Sequence, residues 1–300
     1  MATLEVKNLS KTFRLHSGMR SSTLQAVKDV SFDLEPGHTV ALVGQSGSGK
    51  STVARMIAQL EQPSSGQIML NGTPARHRGR GLQAYRKNVQ MVFQDPFASL
   101  NPFHSIGHHL QRPLLIHNIV SGRDRVRVKV IELLERVQLT PGADFIDRRP
   151  HELSGGQRQR LAIARALAPS PTVLIADEPV SMLDVSIRLG VLNLLARLQR
   201  EENLGVLYIT HDLATARHFS DHIMVMYQGE VVESGPPDDV ILRPQAEFTK
   251  LLAAAAPEPS RNERFINAAP PATRSRTADL DAPVTPLRLD TQPSSRTGQP

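Results

Sequence analysis

The sequence predicts an α/β fold with a mainly parallel β-sheet, and three observations support this prediction. Short apolar runs alternate with segments of helical periodicity over residues 173–227. Such alternation is typical of parallel strands joined by crossover helices. A glycine-rich loop at residues 44–51 follows one apolar run and precedes a helical segment. An acidic pair, Asp177-Glu178, ends another apolar run.

Composition limits the classes to which the chain can belong. Its 300 residues, 40% of them hydrophobic, are enough for one large or two modest globular domains. Cysteine is absent, which excludes disulfides, thiolate metal sites, iron–sulfur clusters and cysteine nucleophiles. We see no signal-peptide pattern and no run of the roughly 18 apolar residues that a spanning helix needs. If the protein works at a membrane, we expect a partner to anchor it.

The formal net charge of +6 allows three interpretations. A basic surface can bind nucleic acid, can face an anionic membrane, or can simply be solvated. Basic residues cluster at 76–87 and at 123–129, with Tyr85 as the one aromatic residue among them, and aromatics make up only 4% of the chain. Because a platform for single-stranded nucleic acid needs stacking aromatics, we predict no nucleic-acid partner and favour a solvated basic surface.

The first ninety residues or so are expected to form mainly strands. Alternation of apolar and polar residues predicts strands that begin near Leu4 and Ala26. These strands are expected to give the fold an antiparallel β edge. Thr39–Val43 is continuously apolar, as in a strand buried on both faces, and Ser51–Leu60 has helical spacing. Asn71-Gly72 predicts a hairpin turn.

The rest of the chain is expected to contain a helical insert, an alternating segment and a tail. Residues 98–166 have mainly helical periodicity, and residues 239–256 predict a final helical stretch. From residue 257 to residue 300, Pro, Ser, Thr, Arg and Ala dominate and no period remains, so we predict a disordered tail. Residues 1–256 then form one nucleotide-binding domain, which includes the insert.

The glycine-rich loop has the pattern of a phosphate-binding loop, and it lies between a predicted strand and a predicted helix as that loop requires. Its glycines let backbone N–H groups turn toward a phosphate, and the helix N-terminus adds a positive dipole. Lys50 would reach the β and γ oxygens, and the Ser51 hydroxyl would ligate Mg²⁺. The candidate nucleotide-binding residues here are Gly44, Gln45, Ser46, Gly47, Ser48, Gly49, Lys50, Ser51 and Thr52.

The acidic pair lies at the carboxyl end of a predicted buried strand, where ligands bind in open α/β sheets. A carboxylate at Asp177 can hold Mg²⁺ directly or through water. Glu178 is the candidate general base that orients the attacking water and draws its proton. Together with the phosphate loop, the pair predicts a nucleotide triphosphatase.

The segment Ser154–Gln157, hereafter the signature loop, precedes a second helical segment. Ser and Gly both cap helices, but capping alone does not require Gly155 and Gly156 in succession. The backbone N–H groups of the two glycines and the Ser154 hydroxyl, at a helix N-terminus with its positive dipole, would form a second cradle for an anion. Since the chain holds one triphosphate in its own loop, we expect this second cradle to bind the γ-phosphate held by a facing copy.

With these motifs, the chain resembles the ATP-binding subunits of ABC transporters over about residues 3–256. It is most similar to the oligopeptide, dipeptide and nickel importer group. The runs that carry this likeness are residues 93–102 (FQDPFASLNP), residues 151–160 (HELSGGQRQR) and residues 177–181 (DEPVS). The resemblance implies a P-loop NTPase core and ATP with Mg²⁺ as the bound species.

The resemblance also implies roles for individual residues. Gln94 would contact Mg²⁺ or the attacking water, and His211 would touch the γ-phosphate and steady Glu178. Asp184 would reach across the interface of a dimer. Phe13 would stack on adenine, although an aromatic of a core strand is an alternative interpretation of that residue.

The function implied is ATP hydrolysis at sites shared by two copies arranged head to tail. One copy would supply the phosphate loop and the acidic pair, and its mate would supply the signature loop. The implied partners are a second ATP-binding subunit, identical or homologous, two membrane permease subunits and an extracytoplasmic substrate-binding protein. The chain would then lie peripherally at the cytoplasmic face of the inner membrane and energise import, with peptides as the leading cargo.

Other classes of P-loop protein fit the sequence less well. A soluble ABC-type ATPase without a permease would act in DNA repair or translation, but no coiled-coil heptads and no second cassette are visible. A P-loop kinase would not need the signature loop. A GTPase usually has an Asn-Lys-x-Asp motif, which the sequence lacks.

Overall fold

The structure, a computed structural model, describes residues 3–17 and 20–255. Within these ranges the strands form one antiparallel sheet and one mainly parallel sheet, as the sequence predicts. The strands are β1 (Leu4–Ser17), β2 (Arg20–Leu34), β3 (Thr39–Val43), β4 (Ser65–Leu70), β5 (Thr73–Pro74), β6 (Val89–Val92), β7 (Val173–Asp177), β8 (Gly205–Thr210), β9 (His222–Tyr227) and β10 (Glu230–Gly235).

Helices connect these strands and fill the insert. They are α1 (Lys50–Ile57), α2 (Gly79–Asn88), α3 (Pro96–Ser99), α4 (Ile106–Ile116), α5 (Arg123–Arg136), α6 (Gly155–Leu167), α7 (Val185–Glu201), α8 (Leu213–Phe219), α9 (Pro237–Leu242) and α10 (Glu247–Ala255). From residue 96 to residue 167 the chain contains helices and turns and no strand, so the predicted helical insert is present.

The antiparallel sheet has the order β2-β1-β4-β5. Its last two strands are joined by the predicted hairpin, in which Asn71 and Gly72 both have positive φ, of 50° and 73°. Turns of this kind require φ > 0 at both central residues, which Asn and Gly adopt at low cost. The hairpin prediction is therefore confirmed.

The larger sheet has the order β10-β9-β3-β8-β7-β6, and its strands from β9 to β6 pair in parallel. Every residue of β3, β7 and β8 is buried, as the continuous apolar runs predict. Alternate residues of a strand point to opposite faces of the sheet. Accordingly Val40 and Leu42 pack in a core shared with the antiparallel sheet, whereas Ala41 and Val43 pack with the helices of the insert.

Three elements differ from the prediction. Helix α2 lies where strands were expected; its buried residue is Tyr85, whose hydroxyl donates to Ile57 O at 2.7 Å. Strand β10 was not predicted, and it pairs antiparallel with β9 at the edge of the sheet. The final helical stretch is divided into α9 and α10 around Pro244, because proline cannot continue a helix. The predicted disordered tail, 257–300, lies outside the described residues.

The core beneath the insert gives a stability prediction. Leu110 of α4 is fully buried in this core, whereas Leu115 of the same helix is 44% exposed. We expect Leu110→Ala to lower the free energy of unfolding by about 2–5 kcal/mol, because it removes apolar contacts and leaves a cavity. Leu115→Ala is the matched control and should change it by less than about 1 kcal/mol. Denaturant unfolding checks both values, and equal effects would contradict the described packing.

Candidate functional site

The phosphate loop begins directly after β3 and ends where α1 starts, so it lies at the carboxyl edge of the parallel sheet. Two of its glycines are required by close backbone contacts. A Cβ at Gly44 would lie 2.2 Å from Met226 O, and a Cβ at Gly49 would lie 2.3 Å from Ala26 O. Gly49 also has φ of +108°. The glycines therefore let the loop pass between β9 and β2. This is a second reason for glycine here, besides the turn of the backbone N–H groups toward a phosphate that the sequence predicts.

Lys50 is the first residue of α1 and is buried in the loop that precedes it. Its ammonium donates to Gly44 O and Gln45 O, each at 2.7 Å, and lies 3.5 Å from Ser48 Oγ. Burial lowers the pKa of Lys50, while the nearby charges of Glu178 and Asp177 raise it. All three hydrogen-bond acceptors of Lys50 among the described residues are uncharged, so the ammonium remains able to bind an anion.

A hydroxyl and a carboxylate meet beside this lysine. Ser51 Oγ donates to Asp177 Oδ1 at 3.2 Å, although the two residues are 126 positions apart. Burial raises the pKa of Asp177, and the hydrogen bond from Ser51 opposes that change. The described residues hold no group of three or more His, Cys, Asp or Glu side chains that could form a closed metal cage. Two protein oxygens fit Mg²⁺, which takes most of its remaining ligands from water and substrate phosphates.

The Glu178 carboxylate lies between two further candidate residues. Gln94 Nε2 donates to Glu178 Oε2 at 2.9 Å, and His211 Nδ1 lies 3.2 Å from Glu178 Oε1. The three side chains come from the ends of β6, β7 and β8, which are neighbours in the sheet. Parallel pairing places Val92 opposite Ala176 and Asp177 opposite Ile209, and thereby sets these strand ends side by side.

The backbone at Glu178 is in the left-handed region, with φ of +45°. This conformation is uncommon for a residue other than glycine and is concentrated at functional sites. The Glu178 N–H donates to Ile209 O at 2.9 Å, and Glu178 O accepts from Ser181 N at 3.2 Å. These bonds hold a strained residue in place, with its side chain mostly buried but its carboxylate aimed at Gln94 and His211.

The signature loop caps α6. Ser154 Oγ accepts from Gln157 N at 3.3 Å and Gln157 Oε1 accepts from Ser154 N at 2.9 Å, a reciprocal capping box. A Cβ at Gly156 would lie 2.6 Å from Ile187 Cγ2 of α7, so this glycine is needed for packing within the chain. A Cβ at Gly155 would meet Leu183 Cδ2 at 3.5 Å, an ordinary contact. Of the two signature glycines, Gly155 is therefore the one that packing within the described part of the chain does not require.

The structure brings some candidate residues together and leaves others apart. Lys50, Ser51 and Asp177 form one cluster, and Gln94, Glu178 and His211 form the adjoining one. The side-chain hydrogen bonds of Ser154 and Gln157 stay within their own helix cap, and the signature glycines face Leu183 and Ile187. The described contacts of the signature loop therefore include none to the phosphate loop of the same chain.

The remaining candidates have the following positions. Gln45, Ser46 and Gly47 are exposed in the phosphate loop, Ser48 is buried, and Thr52 lies in the first turn of α1. Asp184 is the exposed N-cap residue of α7, yet its side chain makes no capping hydrogen bond. Phe13 is partly buried on β1, with the Lys11 ammonium 4.9 Å from its ring centroid. This contact favours neither interpretation of Phe13 over the other.

A cleft of about 830 Å³ extends from Ser51 and Asp177 toward the helical insert. Basic side chains of the insert line it, and sequence reasoning did not select them: His104, His108, His109, Arg112, His117 and Arg165. His104 and His108 stack with their ring centroids 4.1 Å apart. No helical period links this pair in the sequence, because His104 precedes Ser105, the N-cap residue of α4. The cleft thus joins the candidate metal site to the surface of the insert.

A phosphate loop that opens a helix at the carboxyl edge of a parallel sheet, beside a buried carboxylate and a strained glutamate, defines a P-loop nucleotide-binding domain. The family model described as ABC transporter matches residues 27–181. The chain belongs to the ABC transporter family, and its fold is that of the family's ATP-binding cassettes. The predictions of family and fold class are confirmed.

The relatives that have the name glutathione import ATP-binding protein GsiA include proteins of Pectobacterium atrosepticum and Escherichia coli K12. The protein of Pectobacterium atrosepticum is 46% identical over 267 residues, which cover 87% of this chain and 42% of the relative. That of Escherichia coli K12 is 48% identical over 264 residues, which cover 86% and 42%. The chain thus spans about two fifths of the length of the curated relatives that it matches.

Solved structures give a similar result. CbiO1 of Clostridium perfringens, part of the ABC transporter complex cbiONQ, has a TM-score of 0.69 and 28% identity, with 81% of this chain and 91% of that chain covered. The cassette MJ0796, a dimer bound to ADP and phosphate in a post-hydrolysis state, has a TM-score of 0.68 and 29% identity, with 78% of this chain and 98% of that chain covered.

None of the helices in the described part of this chain has both the length and the apolar character that a membrane span requires.

The two signature glycines give a prediction about packing within the chain. Gly156→Ala should lower the free energy of unfolding by about 1–3 kcal/mol, because its methyl group would overlap Ile187. Gly155→Ala should leave the unfolding midpoint near that of the parent. Thermal unfolding of both variants, and of Gly156→Ala combined with Ile187→Ala, checks this prediction. A Gly156→Ala protein as stable as the parent would show that the contact with Ile187 is not required.

Proposed function

We propose that this chain is the ATP-hydrolysing subunit of an ABC importer for oligopeptides or dipeptides. The observation that carries the proposal is the cluster at the sheet edge, in which the Glu178 carboxylate is held by Gln94 and His211 beside Lys50, Ser51 and Asp177. A general base, a cation for phosphate and two oxygen ligands for Mg²⁺ are the parts that phosphoryl transfer to water requires.

Each side chain of the cluster has a role in this proposal. Lys50 binds the β and γ oxygens of ATP. Ser51 and Asp177 hold Mg²⁺, and Gln94 contacts this ion or the attacking water. When bound, Mg²⁺ neutralises charge on the phosphates. Glu178 orients the attacking water and accepts its proton, and His211 fixes the Glu178 carboxylate and contacts the γ-phosphate. Lys50 and Asp177 are buried and the Glu178 side chain is mostly buried, so their charges act more strongly than they would in bulk water.

The site is completed, in this proposal, by the signature loop of a facing copy. The loop makes no described contact with its own phosphate loop, and Gly155 is a glycine that packing within the chain does not require. Asp184, exposed and free of a capping bond, would lie at the seam between the copies. The dimeric MJ0796 cassette supports such an arrangement. ATP binding would close the dimer, and loss of the γ-phosphate would remove shared contacts and open it.

The partners follow from the same proposal. Two permease subunits would receive the motion through the surface around Gln94 and the helical insert, at the cytoplasmic face of the inner membrane. A second ATP-binding subunit, identical or homologous, would form the dimer, and an extracytoplasmic binding protein would deliver the cargo. The relatives that import glutathione, a short peptide, support peptide-like cargo.

The assignment of the base is tested by Glu178→Gln. The variant should bind ATP normally, because the phosphate loop is unchanged, but its turnover should fall by at least about a hundredfold. It should also accumulate a closed dimer with MgATP, which size-exclusion chromatography detects. Glu35→Gln, in an exposed side chain that precedes β3 at the amino edge of the parallel sheet, is the matched control and should hydrolyse ATP at the parent rate. Hydrolysis by Glu178→Gln at the parent rate would show that another group is the base.

A further inference from the structure

The segment after Gln94 makes side-chain hydrogen bonds to its own backbone. The Asp95 carboxylate accepts from Phe97 N at 2.7 Å and from Ala98 N at 3.1 Å, and so caps the short helix α3. Phe97 lies three residues beyond the glutamine that contacts Glu178. This ring is 54% exposed.

One face of the Phe97 ring is covered by a charged group from the signature helix. The guanidinium carbon of Arg158 lies 4.1 Å from the ring centroid, within the range of a cation–π interaction. Arg158 directly follows the signature loop, and its backbone N–H donates to Ser154 O at 2.9 Å. Its side chain also donates to Pro150 O at 2.7 Å and to His151 O at 3.2 Å. The guanidinium therefore joins Phe97 to the turn that leads into the signature loop.

A second arginine of α6 attaches the other end of α3. Arg165 Nη1 donates to Ser99 O, and Arg165 follows Arg158 by seven residues, or two helical turns, on the same side of α6. Helix α3 is thus attached to α6 at both ends, by Phe97 and by Ser99. We expect the two helices to move together, with Gln94 at one end of the connected unit and Ser154 at the other.

We propose that Phe97 and Arg158 are positioning residues that couple the two shared ATP sites of the dimer. Gln94 belongs to the site that holds the chain's own ATP, whereas Ser154 serves the site of the facing copy. A displacement of Gln94 when its site is filled or emptied is passed through Phe97 and Arg158 to the signature loop. This inference rests on the proposed function, since it requires composite sites, but it assigns a role to two residues outside the catalytic cluster.

The test is a double-mutant cycle on the full chain, with steady-state hydrolysis of MgATP as the readout. Phe97→Leu keeps an apolar side chain but removes the aromatic face, so kcat should fall about two- to fivefold, the effect of one exposed cation–π contact. The KM for ATP should stay unchanged, because the phosphate loop is not touched. Phe97→Tyr keeps the face and should retain the parent kcat. In an Arg158→Gln background, Phe97→Leu should cause no further loss.

Phe103→Leu is the matched control, since Phe103 is 80% exposed in the same insert, and it should leave kcat unchanged. Unfolding midpoints near that of the parent exclude general destabilisation. Additive losses, a Phe97→Tyr variant as slow as Phe97→Leu, or a change confined to KM would overturn the coupling and leave the proposed function standing. A parent chain that binds MgATP but does not hydrolyse it would overturn the proposed function and this inference together.

Discussion

The Glu178 carboxylate joins three strand ends that are far apart in the sequence, and the rest of the site depends on this junction. One oxygen accepts from Gln94 after β6, and the other lies beside His211 after β8. Parallel pairing with β7 in the middle makes this contact possible, because it brings all three carboxyl ends to one edge. The left-handed backbone at Glu178 costs about 1–3 kcal/mol, which the buried sheet beneath it offsets.

The two cores hold this edge from opposite sides. The core shared with the antiparallel sheet positions α1 and therefore Lys50 and Ser51. The core beneath the helical insert positions α6 and the signature loop. Gln94 lies between these two parts, because α3 directly after it is attached to α6. The fold thus supports the nucleotide-binding edge and the signature loop on two different cores.

Much of this architecture could be predicted, because the decisive signals are local in the sequence. The phosphate loop, the acidic pair and the alternation after Val173 specify the parallel sheet and its carboxyl edge. Helix α2 was missed because Tyr85 is its buried anchor and its other residues have no apolar period. Strand β10 was missed because its residues are only partly buried at the edge of the sheet. The need for glycine at position 156 arises from Ile187, 31 residues away, and no local pattern indicates such a contact.

The central claim is that one chain grips the nucleotide while another completes its site, and complementation tests it most directly. Lys50→Ala removes the lysine of the phosphate loop, and Gly155→Arg blocks the signature loop. Each variant alone should be inactive. In a mixed dimer, one site combines the intact phosphate loop of one chain with the intact signature loop of the other, so mixing should restore hydrolysis. A mixture that forms mixed dimers, shown by co-purification of two tags, but remains as inactive as either variant would contradict the account.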